Sequence, residues 1–368
     1  MKNKSKKPKK LKKPKLPKVN LKHPLRRVKT TEEKVSEALS NVPRITNETL
    51  SEHREEVLAG ARKFIYPLQH SKHKIVRISI AIFAVVIIGF FLSISLSLYK
   101  FQSTSGFVYN VTKIVPFPVA KAGPSWVSYE SYLFELRRNL HYYQTQQPQA
   151  VLTGNEGKQQ IKRLKQQAMS QVIQDAYVKQ LASQYHVSVS NQAVDNEVAL
   201  VRSENRLGNS DRVFREVLNE FWGWSESDFK RELKQELLQQ AVVAKLDTAT
   251  NDRANSALKQ LEKGADFANV AKQMSDDLNT KSDGGKYAAA ITINDSDLSP
   301  ILTHEIFKLK AGQISGLINT GYTLDIIKVL DVNGSTRHAA HIQFTFKDIT
   351  TYTKPLQGKN PPHQYIHN

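Results

Sequence analysis

Four stretches decide the fold: RANSALKQLEKGADFANVAKQMSDD at residues 253–277, GGKY at 284–287, LSPILTHEIFKLKAGQISGLINTGYTLDIIKV at 298–329 and NGSTRHAAHIQFTF at 333–346. In order they read as helix, glycine turn, helix, acidic loop, paired glycines, apolar helix, glycine turn and two strands. Asn333-Gly334 between apolar runs is a hairpin signal. A two-residue loop would pair Ile326 with His341, and a three-residue loop over Val332, Asn333 and Gly334 would pair Asp325 with His341. We choose the second, because a slip of one residue exchanges the two faces of a strand. It puts Leu324 and Ile326 beside Ala340, Ile342 and Phe344. Asp325, Thr323, His341 and Gln343 then share the other face.

Outward from this region, charge and hydropathy divide the 368-residue chain. Its net charge is +19. Residues 1–74 hold 21 Lys and Arg against 7 acids, and the remainder holds 32 against 27. The first 30 residues carry no acid at all. Such a block repels itself and buries no core, so a disordered tail is expected. Residues 31–70 suggest a short amphipathic helix. Residues 78–99 form an uncharged run of 22, long enough to cross a bilayer as a helix. Lys72, Lys74 and Arg77 precede it. The positive-inside rule puts the N-terminus in the cytoplasm and the rest of the chain outside. A cleaved signal peptide is the rival, but the preceding region is too long for one. There is no cysteine, which excludes disulfides and thiol chemistry.

After the apolar run, prolines and Gly123 suggest an extended connector over 100–122. A helix is expected from Trp126, and a Gln-rich loop at 144–157. A long helix over 161–185 places Leu164, Ala168, Val172, Ala176 and Leu181 near one face. Further helices are expected over 191–206, 211–221 and 225–246, the last opened by Ser225 and Asp228 as a capping box.

The four opening stretches, with G-x-D-F at 264–267, S-D-D at 275–277, Gly284-Gly285, F-x-L-x-x-G-x-I-S at 307–315 and I-I-K-V at 326–329, resemble the parvulin family of peptidyl-prolyl isomerases. The helical succession, with V-S-x-x-x-V entering one helix and S-x-x-D-F-K opening another, resembles the chaperone domain of SurA-like and PrsA-like foldases. The implied class is α+β: a helical chaperone domain, a small antiparallel-sheet domain and one transmembrane helix. The expected divisions are a basic cytoplasmic tail (1–74), transmembrane helix (75–99), connector (100–122), chaperone domain (123–247), parvulin-like domain (248–349) and flexible tail (350–368).

The resemblance implies rotamase chemistry, which needs neither metal nor cofactor. It carries over an apolar proline pocket at Leu298, Leu302 and Phe307, a polar floor at Asp277 and a turn threonine at Thr320. Two departures stand out. Parvulins open with a strand bearing an active-site His, and none precedes Arg253. The segment A-A-H-I-Q-F at 339–344 offers His341 instead. Either the domain is a circular permutant, or His341 opens a truncated second repeat, for which only 22 residues remain after Phe346. The place of a second family His holds Asp325, which can orient His341 and hold it protonated.

Trp222 and Trp224 are candidates for lining a client groove. The expected partners are unfolded or exported polypeptides and membrane lipid. Nucleic acid is not expected, because no aromatics interleave with the basic tail. The 11 histidines show no metal-ligand spacing. The expectation is a membrane-anchored extracytoplasmic foldase. The alternative is a non-catalytic membrane chaperone or scaffold on a degenerate parvulin fold.

Overall fold

The computed structural model describes residues 31–40, 46–65, 72–146, 152–203 and 210–366. It separates into two units, residues 1–86 and 87–368. The basic residues 1–30 and residues 147–151 of the Gln-rich segment lie outside the described residues.

In the first unit, α1 (Thr31–Ser40) and α2 (Asn47–Ile65) are two helices where the sequence suggests one. The apolar run forms α3 (Lys72–Ser95), which passes from the first unit into the second. A helix over His73–Lys100 is long and apolar enough to cross a membrane. Its side chains from Ile75 to Leu92 are exposed, but Ile94 and Leu98 are buried. The expected span of 75–99 lies within that helix. A π-helical turn at Leu96–Lys100 docks on the protein, where the Tyr129 hydroxyl donates to the Leu98 carbonyl at 2.6 Å.

The expected connector is folded. It holds α4 (Gly106–Ile114), capped by the Ser105 hydroxyl, and β1 (Pro118–Ala122). Trp126 lies in β2 (Ser125–Ser128) rather than a helix, and α5 (Tyr129–Gln146) begins three residues later. β1 buries Val119, Ala120 and Ala122, although Pro116 and Pro118 make the segment read as a connector. Next come α6 (Gly154–Gln184), α7 (Asn191–Ser203), α8 (Asp211–Trp222) and α9 (Glu226–Leu246). The α6 stripe buries Leu164, Ala168, Val172 and Leu181 against the core. The capping box of Ser225 and Asp228 opens α9 with both reciprocal bonds made.

The remaining elements are α10 (Thr248–Glu262), α11 (Phe267–Met274), α12 (Leu278–Lys281), β3 (Ile291–Thr292) and α13 (Pro300–Lys308). After them come β4 (Ile318–Asn319), β5 (Thr323–Asn333), β6 (Thr336–Thr345), α14 (Thr350–Lys359) and β7 (His363–Gln364). Four of the strands form an antiparallel sheet in the order β3-β6-β5-β4. Thus β6, the last of the four in sequence, lies inside the sheet. One face carries Leu324, Ile326, Ala340, Ile342 and Phe344 in a cluster with Phe267, Val270 and Ala271 of α11. The other carries Ile327, Val329 and Ala339 in a cluster with Leu302 and Ile306 of α13.

The hairpin register differs from both alternatives. Asn333 pairs with Thr336 across a two-residue loop, and a bulge between Val329 and Asp331 shifts the ladder. His341 therefore pairs with Ile327, and Asp325 with Gln343. The bulge was not legible because one extra residue leaves no mark on an apolar run. The face assignment is nevertheless retained, since Asp325 and Ile327 point the same way.

Residues 350–366 are not a flexible tail. β7 pairs with β1, making a second sheet in the order β2-β1-β7. The Tyr177 hydroxyl donates to the Asn360 carbonyl, and Ile366 is buried in the core of α5 and α6. The four-stranded sheet domain is thus tied to the helical region at both of its ends.

Candidate functional site

His341 sits at the centre of β6 with its imidazole between two carboxylates. Its Nδ1 lies 3.2 Å from Asp325 Oδ1, and its Nε2 lies 2.9 Å from Asp277 Oδ2. The Asp325 side chain is fully buried and that of His341 nearly so. Ionised carboxylates only accept hydrogen bonds, so both ring nitrogens must carry protons to satisfy them. Burial alone would lower the pKa of the ring. The bonds to Asp325 and Asp277 outweigh it and raise the pKa above the usual value of 6.5. Asp277 mirrors this. Burial would raise its pKa, but bonds from Thr280, His341 and the Asn279 N–H hold it below the usual carboxylate range.

Local sequence explains how Asp277 arrives there. The Ser275 hydroxyl accepts from the Gln343 and Asp277 N–H groups, and the Asp276 N–H donates to the Gln343 carbonyl at 2.7 Å. Asp276 also accepts from Arg253 and from the Thr345 N–H. S-D-D is therefore a clamp that ties the end of α11 to β6. Asp277 then caps α12 through the Asn279 N–H.

The paired glycines bring a loop against β6 beside His341. Gly284 and Gly285 both have positive φ, at +70° and +80°. The His341 N–H donates to the Gly285 carbonyl at 2.8 Å, and a Cβ on Gly285 would overlap the His341 carbonyl oxygen. Only glycine allows this backbone to run against β6. Two residues on, the Tyr287 ring packs on His341 with centroids 4.5 Å apart. The same ring packs against the α13 apolar cluster, and its hydroxyl is buried without a hydrogen-bond partner. Burial and the nearby carboxylates push its pKa up.

Thr320 joins the polar set from the β4–β5 turn. It lies 2.7 Å from the Thr323 hydroxyl, which donates to Asp325 Oδ2. A continuous chain thus runs Thr320, Thr323, Asp325, His341, Asp277. All four polar residues singled out in the sequence are in it. Leu298, Leu302 and Phe307 belong to the apolar cluster on the sheet face of His341. Leu302 is buried, whereas Leu298 and Phe307 are half-buried. The guanidinium of Arg337 lies over the Phe307 ring at 4.7 Å.

Sequence reasoning missed two members, Thr280 and Tyr287, and put Thr323 on the face of Asp325 and His341 without giving it a role. The Thr280 hydroxyl lies 2.9 Å from His341 Nε2 and donates to Asp277. Its spacing of three residues from a helix-capping Asp is a readable signal. Thr323 is two residues from Asp325 on a strand and so shares its face.

Among the helices, Trp224 is buried and stacks on Phe134 and Trp222, each at 5.6 Å between centroids. Trp222 is half-buried against the same core. A cavity of about 580 Å³ opens between α5, α6 and α9, with Phe134, Leu238, Glu135, Asp175 and Glu232 among its lining. Arg138 bridges Glu135 at 2.7 Å and Glu232 at 3.2 Å. Burial first, then repulsion from Glu232, pushes the pKa of Glu135 up to about 8.

Two family models match this sequence. The one described as a PPIC-type PPIASE domain covers residues 236–331, and a SurA-like N-terminal domain covers residues 68–243. His341 and β6 lie beyond both. Foldase protein PrsA of Clostridium botulinum (strain Okra / Type B1) is 23% identical over 230 residues, which are 53% of this chain and 68% of that protein. Foldase protein PrsA 1 of Lactobacillus johnsonii is 30% identical over 186 residues, 44% of this chain and 59% of that protein. Among solved structures, the peptidylprolyl isomerase PrsA from Bacillus anthracis matches 52% of this chain and 88% of its own, at 22% identity and a TM-score of 0.17.

Proposed function

We propose that this chain is a parvulin-type foldase, a PPIC-type peptidyl-prolyl isomerase domain joined to a SurA-like N-terminal domain. It isomerises X-Pro bonds and assists the folding of other polypeptides. The reacting site is the groove between His341, Asp277, Asp325 and Thr320 on one side and Leu298, Leu302 and Phe307 on the other. The observation that carries this reading is the placing of the His341 imidazole and the α13 apolar cluster on one sheet face, with Tyr287 touching both.

The chemistry requires no bond to be broken. An X-Pro bond isomerises unaided in tens to hundreds of seconds. A catalyst must bind the twisted amide better than the planar one. The apolar cluster takes the proline ring and strips water from the amide. The fixed charges of His341 and Asp277 then act in a site where they need not reorganise during twisting.

His341 fills the role of the family's first-strand histidine, and the sheet domain is a circular permutant. The position of β6 inside the sheet, and the return of α14 and β7 to the helical region, support this over a truncated second repeat. The clients are unfolded, exported polypeptides, with the helical region as a cradle to which Trp222 contributes an edge. The chain is anchored by α3, with residues 1–74 in the cytoplasm and the folded unit outside.

One observation favours a second reading, a chaperone without rotamase activity. Asp325 bonds to His341 and favours its protonated form, where the resemblance expects a second histidine. A proline-peptide isomerisation assay on the full chain in vesicles separates the two. We expect acceleration that Asp277→Asn and Leu298→Ala each diminish. A rate equal to the uncatalysed one, with aggregation still suppressed, would establish the second reading. For topology, protease added to intact cells should remove a C-terminal epitope.

A further inference from the structure

The anchor does not end in a free linker. The uncharged run of α3 begins at Ile78, after Arg77, and its side chains are exposed from Ile78 to Ser93, 16 residues that span about 24 Å as a helix, most of the hydrocarbon thickness of a bilayer. Immediately beyond, Ile94 and Leu98 are buried in the core of the folded unit. The Tyr99 hydroxyl donates to the Pro118 carbonyl at 2.6 Å. The helix therefore enters the folded unit within about two turns of leaving the apolar layer. Protein surface flanking that entry must lie at the level of the lipid headgroups.

The loop and helix that follow the anchor directly in the chain expose apolar side chains. Phe101 is 70% exposed, Phe107 64% and Ile114 84%. Phe107 and Ile114 are seven residues apart on α4, on the face opposite the buried Val108 and Thr112. Their exposure is not looseness of the chain. Arg137 donates to the Thr104 carbonyl and Lys165 to the Gln102 side chain, both at 2.6 Å, fixing the loop that precedes α4.

We propose that the outer face of α4, with Phe101, is a membrane-docking surface that seats the folded unit on the bilayer beside its own anchor. This rests on the anchored reading of α3. The occupant is lipid at the headgroup and upper acyl level. Such a surface holds the unit in one orientation, so the rotamase groove keeps a fixed bearing to the membrane from which clients emerge.

The chain has no cysteine, so single-cysteine variants of the full chain can carry one fluorophore each. Phe83→Cys, Phe107→Cys, Ile114→Cys and Leu278→Cys would be labelled with an environment-sensitive dye. The probe membrane is a vesicle of phosphatidylcholine and phosphatidylglycerol. We expect the dye at 83 to be quenched by a nitroxide deep in the acyl chains, and at 107 and 114 by one at headgroup level. Leu278, 82% exposed, should respond only to aqueous iodide. If 107 and 114 behave like 278 while 83 is lipid-quenched, the docking surface is refuted and the anchor stands. If they are shielded from iodide without lipid quenching, protein covers them and the lipid assignment fails. An aqueous response at 83 refutes the anchor and the docking surface together.

Discussion

Asp325 Oδ1 and His341 Nδ1, 3.2 Å apart on neighbouring strands, form an ion pair whose acid is wholly withdrawn from water. Deleting the histidine would strand that carboxylate. Breaking a buried pair from one side costs about 3–5 kcal/mol. We therefore expect His341→Ala to destabilise the sheet domain by about that much, and Asp325→Asn added to it to recover most of the loss. Urea unfolding of the two single variants and the double variant measures the coupling. Additive losses would show that the two side chains do not interact.

Gly285 presses on the same histidine from the backbone. A Cβ there would overlap the His341 carbonyl, and the φ of +80° is strained for any other residue. Gly285→Ala should cost about 2–4 kcal/mol and lower the isomerase rate, because β6 must move. Gly312 also has positive φ but open space around it, so Gly312→Ala is the control, with a cost of about 1 kcal/mol. Equal costs at the two positions would remove the steric argument.

The landmarks legible in the sequence were those with a local mechanism. Ser225 caps its helix where read, the G-x-D-F landmark holds the Asp266 cap of α11, and Gly284-Gly285 sits at a close backbone approach. The placing of His341 on the face of Asp325 was legible because the observed loop and the bulge together displace the expected register by two residues, which preserves strand parity. What was hidden depended on distant partners. β1 reads as a proline-broken connector until β2 and β7 flank it. Residues 350–366 look polar and loose, yet Ile366 is buried by residues about 200 positions upstream. Trp224 looked like a client contact, but nothing local in the sequence foretells its stacking on Phe134.

The carboxylates around His341 set a pH window. Its folded pKa is raised, so its contribution to stability is full below pH 6.5 and is lost as pH rises through the folded value. Asp277 is lowered, so its contribution is present above its ordinary value of 3.8 and is lost as pH falls through the folded value. Stability from this cluster should be greatest between these limits. NMR titration of the imidazole should place His341 above 6.5, and Asp325→Asn should move it down. A titration at or below 6.5 in the unmodified chain would contradict the cluster.

Glu135 has the opposite sign to an ordinary surface acid. Its folded pKa is pushed up to about 8, above the usual value of 4.5, so deprotonation at neutral pH is resisted by the fold. Stability of the helical region should therefore fall as pH rises from 4.5 through about 8. Glu135→Gln keeps the shape and removes the charge. We expect it to stabilise by roughly 1–3 kcal/mol above neutral pH and to flatten that slope. Thermal midpoints across pH 5–9 test this. Destabilisation at every pH would show instead that the ion pair with Arg138 outweighs the burial.

The C-terminal segment should act on a region far from it in sequence. β7 supplies the second neighbour of β1, the Tyr365 N–H donates to the Val119 carbonyl, and Ile366 fills the core beside α6. Removing residues 350–368 leaves Phe346 and Ile349 in place, so the four-stranded sheet should persist. The helical region loses an apolar side chain worth about 1.5–3 kcal/mol and an edge pairing. We expect a lower thermal midpoint and faster hydrogen exchange at the β1 amides, with β5 and β6 amides unchanged. Undiminished protection of β1 would mean that the segment does not dock there. Loss of protection in β6 as well would mean that the sheet depends on the C-terminal tie and is not a self-sufficient permutant.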